Sequence, residues 1–172
     1  MQIHDNFLPQ FAFDLIRDTL LSTDMDAWRL ARILSTNDTY NAQMCMSPMD
    51  YNNLHGIMQP FLDKLDVLSW QRIKANLNFR TEEHKCGGFH VDIREGLRIP
   101  GYSYTGILYL NKNNGYTEFR DGTKVEPLEN RYVEFTADTE HAGFTPTNTD
   151  FKAVINVNYV RNQSLWSATR GN

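Results

Sequence analysis

The sequence lacks the features by which several classes of protein are recognised. It has only two cysteines, Cys45 and Cys86, and no CxxC motif, which excludes a disulfide framework, and we expect both residues to be thiols in a reducing compartment. No apolar run approaches the roughly 20 residues that span a bilayer. The segment from Met1 to Phe11 has neither the basic nor the apolar region of a signal peptide. We therefore expect a soluble, intracellular, cytoplasmic protein with no membrane partner.

Positive charge is also limited. The 17 Lys and Arg residues are outnumbered by 21 Asp and Glu residues, and the formal net charge is −4. Because domains that neutralise nucleic-acid phosphates are usually basic, nucleic acid is not an expected partner, although a local basic patch is compatible with this balance. The apolar content of 41% and the length of 172 residues predict a single globular domain over residues 1–172. The sequence does not indicate the oligomeric state.

The first part of the chain, to about residue 68, has helical patterns. The clearest helix starts at Ser47, a candidate N-cap followed by Pro48 at the first helical position and Asp50 at the third. The apolar residues after this start recur at steps of three and four, which is typical of a helix that faces a core. They are Leu54, Ile57, Met58, Phe61, Leu62 and Leu65.

Two earlier segments are also predicted to be helical. One runs from about Pro9 to Leu21, with Phe11, Leu15 and Leu20 among its buried residues. The other lies around Ala27–Leu34.

From about residue 69 to residue 160 the pattern changes to short strands separated by turn signals. Asp121-Gly122 is a strong two-residue hairpin signal between two of these strands. Helices followed by many short strands predict an α+β fold, a double-stranded β-helix (jelly roll) with the N-terminal helices packed on one sheet. The predicted strands are 70–80, Tyr104–Leu110, Tyr116–Arg120, Thr123–Pro127, Arg131–Phe135 and Lys152–Val160.

Two of these strands have an unusual polar face. Asn156 and Asn158 lie on one face of the last strand, and Asn76, Asn78 and Arg80 lie on one face of the first. Asparagine is unfavourable in strands, so its repeated use needs a reason. Either both faces are exposed to solvent, or both line a wet interior cavity while the apolar faces pack against the helices.

The strongest candidate for chemistry is His90-Val91-Asp92. In a strand, His90 and Asp92 would project to the same side, where an imidazole and a carboxylate could bind one metal ion. A His-x-Asp pair alone is more often structural or exposed. His141 follows another strand and could be brought to the same side of a roll, whereas the charged surroundings of His84 favour a solvated loop.

Two histidines and one carboxylate form the facial triad of non-haem Fe(II) oxygenases. Three ligands on one face of an octahedron leave three adjacent positions for a bidentate co-substrate and O₂. Zinc with the same ligands is the rival interpretation. If the co-substrate is 2-oxoglutarate, its distal carboxylate requires a cation, and Lys152 at the start of the polar-faced strand is the candidate. A lysine at a strand start is otherwise usually a solvated edge residue.

Several segments together resemble the prolyl-hydroxylase-like 2-oxoglutarate/Fe(II) dioxygenases. The resemblance covers roughly residues 70–160, and the compact size and the run 141–145 resemble small members carried by bacteriophages. The segments are His90-Val91-Asp92, Ile107-Leu108-Tyr109-Leu110-Asn111-Lys112, His141 and Lys152-Ala153-Val154-Ile155-Asn156-Val157-Asn158-Tyr159.

The resemblance implies a hydroxylase that requires Fe(II), 2-oxoglutarate, O₂ and, as an accessory reductant, ascorbate. His90, Asp92 and His141 match the metal ligands, Lys152 matches the basic residue that pairs with 2-oxoglutarate, and Tyr109 matches a co-substrate contact. Asn78, Arg80 and Asn156 are further candidates for that contact. The commoner residue at the position of Lys152 is Arg, whose planar group binds a carboxylate through two hydrogen bonds. Lys152 offers a single point charge instead.

The resemblance leaves the prime substrate open. A prolyl residue, another protein side chain and a small molecule are all compatible with it, and a phage-encoded member would act in the host cytoplasm. A non-catalytic jelly-roll binding module and a zinc hydrolase are the alternative functions. For the loop 93–103 we expect either a lid over the substrate or an inert surface connection.

Overall fold

The structure is a computed structural model, and it describes residues 1–22, 27–32 and 42–161. Within these residues the chain forms two α-helices, ten strands and two short 3₁₀ turns, and neither helix is long and apolar enough to cross a membrane. In chain order the helices and strands are β1 (Gln2–His4), α1 (Gln10–Leu20), β2 (Arg29–Arg32), β3 (Ala42–Met46), α2 (Asn52–Lys64), β4 (Val67–Phe79), β5 (Ser103–Tyr109), β6 (Thr117–Phe119), β7 (Lys124–Val125), β8 (Tyr132–Thr136), β9 (His141–Gly143) and β10 (Phe151–Arg161).

The strands form two antiparallel sheets, which confirms the predicted jelly roll. The larger sheet has the order β1-β8-β5-β10-β4-β3-β2, and the smaller one has the order β7-β6-β9. Strand β10 lies near the centre of the larger sheet, between β5 and β4. Because β10 has a neighbour on both sides and layers on both faces, every one of its residues after Phe151 is buried.

The two faces of β10 belong to two different layers, as its period-two pattern predicts. Ala153, Ile155, Val157 and Tyr159 pack into a large apolar core with residues of both helices. On the other face, Val154 joins a smaller apolar cluster that also contains side chains from β6 and β7 of the small sheet. The polar residues of this second face therefore lie between the two sheets and are not on the molecular surface.

Helix α1 confirms the predicted segment and one of its three predicted buried residues, Leu20. Its buried side chains are Ala12, Phe13, Ile16 and Leu20. Phe11 and Leu15, which we expected in the core, are 77% and 52% exposed. The segment carries two overlapping apolar stripes with helical spacing, and only the docking of the helix on the sheet selects one of them.

The region before residue 68 is less helical than predicted. Helix α2 begins at Asn52, because Pro48–Asp50 forms a separate 3₁₀ turn in which the Ser47 side chain makes no capping hydrogen bond. The predicted helix at 27–34 is wrong where it is described, since β2 pairs there with β3 at the edge of the large sheet. Residues 33 and 34 lie outside the described residues. Sheet pairing has overridden a weak helical pattern.

The predicted hairpin forms, but its turn is not the two-residue loop that Asp121-Gly122 indicates. The Gly122 amide donates to the Phe119 carbonyl oxygen and Asp121 does not have a positive φ, so the loop comprises three residues, 120–122. Gly122 has a φ of +84°, a conformation that favours glycine. The Thr123 amide donates to the Asp121 carboxylate at 2.9 Å, and the Phe119 amide donates to the Thr123 carbonyl oxygen. This turn joins β6 to β7.

A second glycine, Gly106 in β5, is required by packing. A Cβ atom there would lie 2.0 Å from the Tyr132 hydroxyl oxygen, and the Tyr132 ring is fully buried between β8 and the helices. We expect Gly106→Ala to lower the free energy of unfolding by about 1–3 kcal/mol through overpacking. Urea denaturation measures this change. Gly96→Ala is the control, because a Cβ atom at Gly96 meets nothing within 4 Å, and a similar loss in that variant would contradict the packing explanation.

Candidate metal centre and cavity

A cavity of about 530 Å³ lies between the two sheets. Its walls come from β4, β10, β9 and the segment that follows His90, so it opens beside the polar face of the large sheet. The described residues that line it include the polar side chains Gln43, Arg72, Lys74, Asn76, Asn78, His90, Asp92, Arg94, Thr117, His141, Lys152 and Asn156. Asn76, Asn78 and Asn156 of the two polar faces therefore line an interior cavity, and the alternative of two solvent-facing strands is wrong.

The structure brings His90, Asp92 and His141 together at this cavity. One potential ligand atom from each residue lies within 4.8 Å of the other two. No strand extends over 90–92 in the described residues; His90 forms a single β-bridge with His141, in which the two backbones exchange two hydrogen bonds of 3.0 Å. This bridge places the two imidazoles side by side, with ring centroids 4.9 Å apart.

Both histidine rings present the same nitrogen to Asp92. The Nδ1 atom of His90 lies 2.9 Å from the Gly88 carbonyl oxygen, and the Nδ1 atom of His141 lies 3.2 Å from the Thr139 carbonyl oxygen. Carbonyl oxygens accept hydrogen bonds, so these contacts place the proton of the neutral ring on Nδ1 and leave Nε2 as a lone-pair ligand. The Nε2 atoms of His90 and His141 lie 3.6 and 3.9 Å from the Asp92 oxygens.

The charges of the three groups suit a cation. Burial alone would raise the pKa of the Asp92 carboxyl, but His90 beside it and the Arg72 guanidinium hold that pKa well below its usual range, so the group is an anion. Burial lowers the pKa of His141 and favours its neutral form. The Asp92 carboxylate raises the pKa of the more exposed His90. Two imidazoles and one carboxylate are a suitable ligand set for Fe(II).

Arg72 and Asn158 hold the Asp92 carboxylate in place. Arg72 Nη2 donates to Asp92 Oδ1 at 2.6 Å, and Asn158 Nδ2 donates to Asp92 Oδ2 at 3.3 Å. Arg72 Nε also donates to Asn158 Oδ1 at 2.9 Å, and Asn158 Nδ2 donates to Thr105 at 2.9 Å. Each carboxylate oxygen therefore has a fixed donor, which orients a group that is only 4% exposed.

Lys152 lies in another part of the same cavity and has no anionic partner among the described residues. Its side chain is 2% exposed, and Nζ donates to the carbonyl oxygens of Tyr116, at 3.0 Å, and Phe144. Burial lowers the pKa of Lys152 to about 7. A buried ammonium group without a counterion is unfavourable, so this position is suited to receive an anion.

The remaining candidates are placed differently from one another. Asn78 and Asn156 line the cavity, as predicted. Tyr109 is buried beneath it, where its hydroxyl group donates to Thr117 at 2.8 Å, and Thr117 itself lines the cavity. Arg80 does not line the cavity; it follows β4, is exposed, and lies 3.8 Å from Asp150. The structure therefore places Arg80 away from the candidate co-substrate site.

Arg72 is the main residue that the sequence interpretation missed. It precedes Lys74 by two positions on β4 and continues the polar alternation of Lys74, Asn76 and Asn78. That periodicity could have identified it. Its partner could not have been inferred, because the contact depends on the pairing of Arg72 with Asn158 and on the path of the chain after His90.

We expect Arg72→Leu to destabilise the protein in a metal-dependent way. In metal-free protein the change removes the cation beside a buried carboxylate, so the free energy of unfolding should fall by about 1–3 kcal/mol. A bound divalent ion supplies positive charge to the same carboxylate and should reduce the loss. Urea unfolding with and without Zn(II) measures the difference. Arg80→Leu, which removes an exposed pair with Asp150, is the control and should change stability by less than about 0.5 kcal/mol. Equal losses of stability in Arg72→Leu with and without metal would contradict the assignment.

Comparison with known proteins relates this architecture to solved structures. A prolyl-4-hydroxylase from Pseudomonas putida is 16% identical, with a TM-score of 0.60 over 94% of this chain and 92% of the other. A prolyl hydroxylase from Trichoplax adhaerens is 11% identical, with a TM-score of 0.66 over 99% and 87% of the two chains. A viral collagen prolyl hydroxylase from Paramecium Bursaria Chlorella virus-1 is 17% identical, with a TM-score of 0.55 over 92% and 96%. No protein-family model matches the sequence, and no curated protein matches it significantly.

These likenesses establish the fold. The chain adopts the double-stranded β-helix of the prolyl-hydroxylase-like 2-oxoglutarate/Fe(II) oxygenases over nearly its whole length, as the resemblance in the sequence implied. Because a fold can carry more than one function, the activity has to be argued from the cavity itself.

Proposed function

We propose that this protein is a non-haem Fe(II) and 2-oxoglutarate-dependent dioxygenase that hydroxylates a prime substrate and releases succinate and CO₂. One observation carries the proposal: the His90, Asp92 and His141 cluster shares a cavity with Lys152, a buried lysine that has no anionic partner among the described residues. His90, Asp92 and His141 would hold the iron, and Lys152 would bind the distal carboxylate of 2-oxoglutarate. When bound, the iron and 2-oxoglutarate supply the activation of O₂, and the protein binds, orients and shields the reactants.

The separation of the two sites supports 2-oxoglutarate as the co-substrate. A Cβ atom at Gly143 would lie 3.5 Å from Lys152 Nζ, so the ammonium group is level with a residue two positions after His141 on β9. Two strand residues span about 6.6 Å. A five-carbon dicarboxylate has a comparable length, which would allow one end to reach a metal and the other to reach Lys152. Asn78, opposite Lys152 in the β4–β10 register, and the Nδ2 group of Asn156 would add hydrogen-bond donors.

For the prime substrate, a prolyl residue or another protein side chain is the first candidate. The Trichoplax neighbour is in complex with a peptide fragment of a hypoxia inducible factor oxygen degradation domain, and the viral neighbour is in complex with 2-oxoglutarate. Besides the triad and Lys152, the lining of the cavity includes Lys74 and Arg94, which are available to contact a substrate.

The test is oxygen addition to a panel of peptides and metabolites, followed by mass spectrometry. The protein is incubated with Fe(II), ascorbate and 2-oxoglutarate under air and, in parallel, under ¹⁸O₂. We expect at least one panel member to gain a single oxygen atom that carries the label. Oxygen derived from solvent, with zinc as effective as iron, would instead support a zinc hydrolase, and panel binding without oxidation or succinate would support a binding module.

The affinity for 2-oxoglutarate is expected to fall as the pH rises above 7. In the free protein the pKa of Lys152 is about 7, so its side chain is charged below pH 7 and neutral above it. A bound anion should raise this pKa. Binding of 2-oxoglutarate above pH 7 therefore requires Lys152 to take up one proton. The dissociation constant should therefore increase by up to about tenfold per pH unit above 7. Calorimetric titration between pH 6.5 and about 9 measures it. Lys152→Arg, which stays charged, should abolish this dependence; the same slope in that variant would contradict the role of Lys152.

A further inference from the structure

The cavity has more positive charge than the proposed iron and 2-oxoglutarate sites require. Its described lining carries four cations and one carboxylate, although the protein as a whole has a net charge of −4. Arg72 is paired with Asp92, and Lys152 is assigned to 2-oxoglutarate. The charges of Fe(II), its ligands, these two cations and the co-substrate nearly balance. Lys74 and Arg94 remain.

The side chains of Lys74 and Arg94 make no hydrogen bond or ion pair with another residue of the ranges 1–22, 27–32 and 42–161. They approach the cavity from different elements. Lys74 is on β4, two positions after Arg72 and opposite Asn156 on β10. Arg94 is in the segment two positions after Asp92. Two cations without a side-chain partner among the described residues therefore line the cavity, one on the strand that carries Arg72 and one in the segment that carries Asp92.

The wall beside Lys74 also contains polar atoms without partners. Asn76 and Asn156 are each 8% exposed, and the Oδ1 atom of each is buried without a hydrogen bond from any described residue. Both residues line the cavity. Buried amide oxygens are rarely left without donors, so this wall is built to contact a polar molecule that the chain itself does not supply.

We infer that the part of the prime substrate that enters the cavity carries an anionic group, a carboxylate or a phosphate, which Lys74 and Arg94 bind. This inference rests on the proposed function, because it assigns Lys152 to 2-oxoglutarate. Asn76 and Asn156 would accept hydrogen bonds from donors on the same substrate. The two cations would position the anion by charge, and the two amide oxygens would position the substrate's donor groups by hydrogen-bond geometry.

Four blocked amino acids test the charge preference without knowledge of the natural substrate. The anionic probes are the N-acetyl amides of aspartate and phosphoserine, and their neutral counterparts are the N-acetyl amides of asparagine and serine. Dissociation constants are measured by calorimetry at millimolar probe concentrations, without O₂, on protein saturated with Fe(II) and 2-oxoglutarate so that Lys152 is occupied. We expect at least one anionic probe to bind about tenfold more tightly than its neutral counterpart. The preferred pair distinguishes carboxylate from phosphate.

Two variants and a control locate the binding site. Lys74→Gln and Arg94→Gln should each remove most of the anionic preference, and the double variant should bind anionic and neutral probes alike. Lys112→Gln removes an exposed lysine that does not line the cavity, and it should keep the full preference. In the Lys74→Gln and Arg94→Gln proteins the affinity for 2-oxoglutarate should change less than the affinity for the anionic probe.

Three results would overturn the inference while leaving the proposed function in place. These are equal affinity of anionic and neutral probes in the wild type, a full preference in the double variant, and a loss of 2-oxoglutarate affinity in Lys74→Gln that exceeds the loss of probe affinity. The last result would assign Lys74 to the co-substrate site. Failure of the proposed function is seen separately, as absence of metal-dependent 2-oxoglutarate binding before any probe is added.

Discussion

Replacing Asp92, His90 or His141 by alanine is expected to reduce 2-oxoglutarate turnover to background. Each change removes one of three potential ligands that lie within 4.8 Å of one another. Loss of an outer-shell partner typically weakens metal binding by roughly 10- to 100-fold, and loss of a direct ligand should exceed this. Succinate formation and equilibrium dialysis of iron measure the two effects. Asp92→Ala should have the largest effect, since it removes the only anionic ligand of the set.

The fold should survive these changes. The three residues line a cavity and contribute little to the two apolar clusters, so urea unfolding should remain cooperative. His55→Ala and Asp150→Ala are matched controls, because both residues are exposed and neither lines the cavity. Normal turnover in His141→Ala would show that His141 is not a ligand. If His141→Ala does not fold, His141→Gln takes its place, and the same loss of turnover is expected for it.

Lys152→Met is expected to raise the concentration of 2-oxoglutarate needed for half-maximal turnover by at least about a hundredfold. The distal carboxylate would enter a site where Lys152 Nζ is the nearest cation and its present partners are two carbonyl oxygens. Removing one partner of a buried ion pair typically costs about 3–5 kcal/mol, or roughly two to four decades of affinity. Titration of succinate formation with 2-oxoglutarate measures the shift.

Two further results separate this role from a structural one. Iron binding should stay nearly intact in Lys152→Met, and the free energy of unfolding should not fall, because the variant removes a buried charge that has no counterion among the described residues. Lys152→Arg should retain part of the activity, since the charge remains while reach and geometry change. An unchanged half-saturation in Lys152→Met would mean that another cation binds 2-oxoglutarate, with Lys74 the next candidate from the cavity lining.

Much of the β-fold could be predicted from the sequence because alternation is a direct consequence of strand geometry. Strand β10 was predictable on both faces: its apolar residues form part of the helix-side core, and Lys152 and Asn156 of its polar face line the cavity. A hairpin at Asp121-Gly122 was predictable because Asp-Gly favours hairpin turns, but its three-residue loop was not. The convergence of His90, Asp92 and His141 followed from strand order and from the family resemblance, and their role as iron ligands remains a prediction.

The parts that failed depend on tertiary contacts. Phe11 and Leu15 have helical spacing as good as that of Phe13 and Ile16, so only the docked helix distinguishes them. The strand Arg29–Arg32 exists because β3 offers a sheet edge. Arg80 continues the polar alternation of β4 but extends past the end of that strand, outside the cavity. Alternation predicts the face on which a side chain lies, but not where the cavity ends.

The central claim is that one cavity couples an iron triad to 2-oxoglutarate. The most direct test is succinate formation from 2-oxoglutarate by the purified protein with Fe(II) and ascorbate, with and without O₂. The account predicts O₂-dependent succinate formation with equimolar CO₂, which is lost when Zn(II) replaces Fe(II) and in the Asp92→Ala protein. Succinate formation that is no higher in the wild type than in Asp92→Ala, or that is independent of O₂, would contradict it.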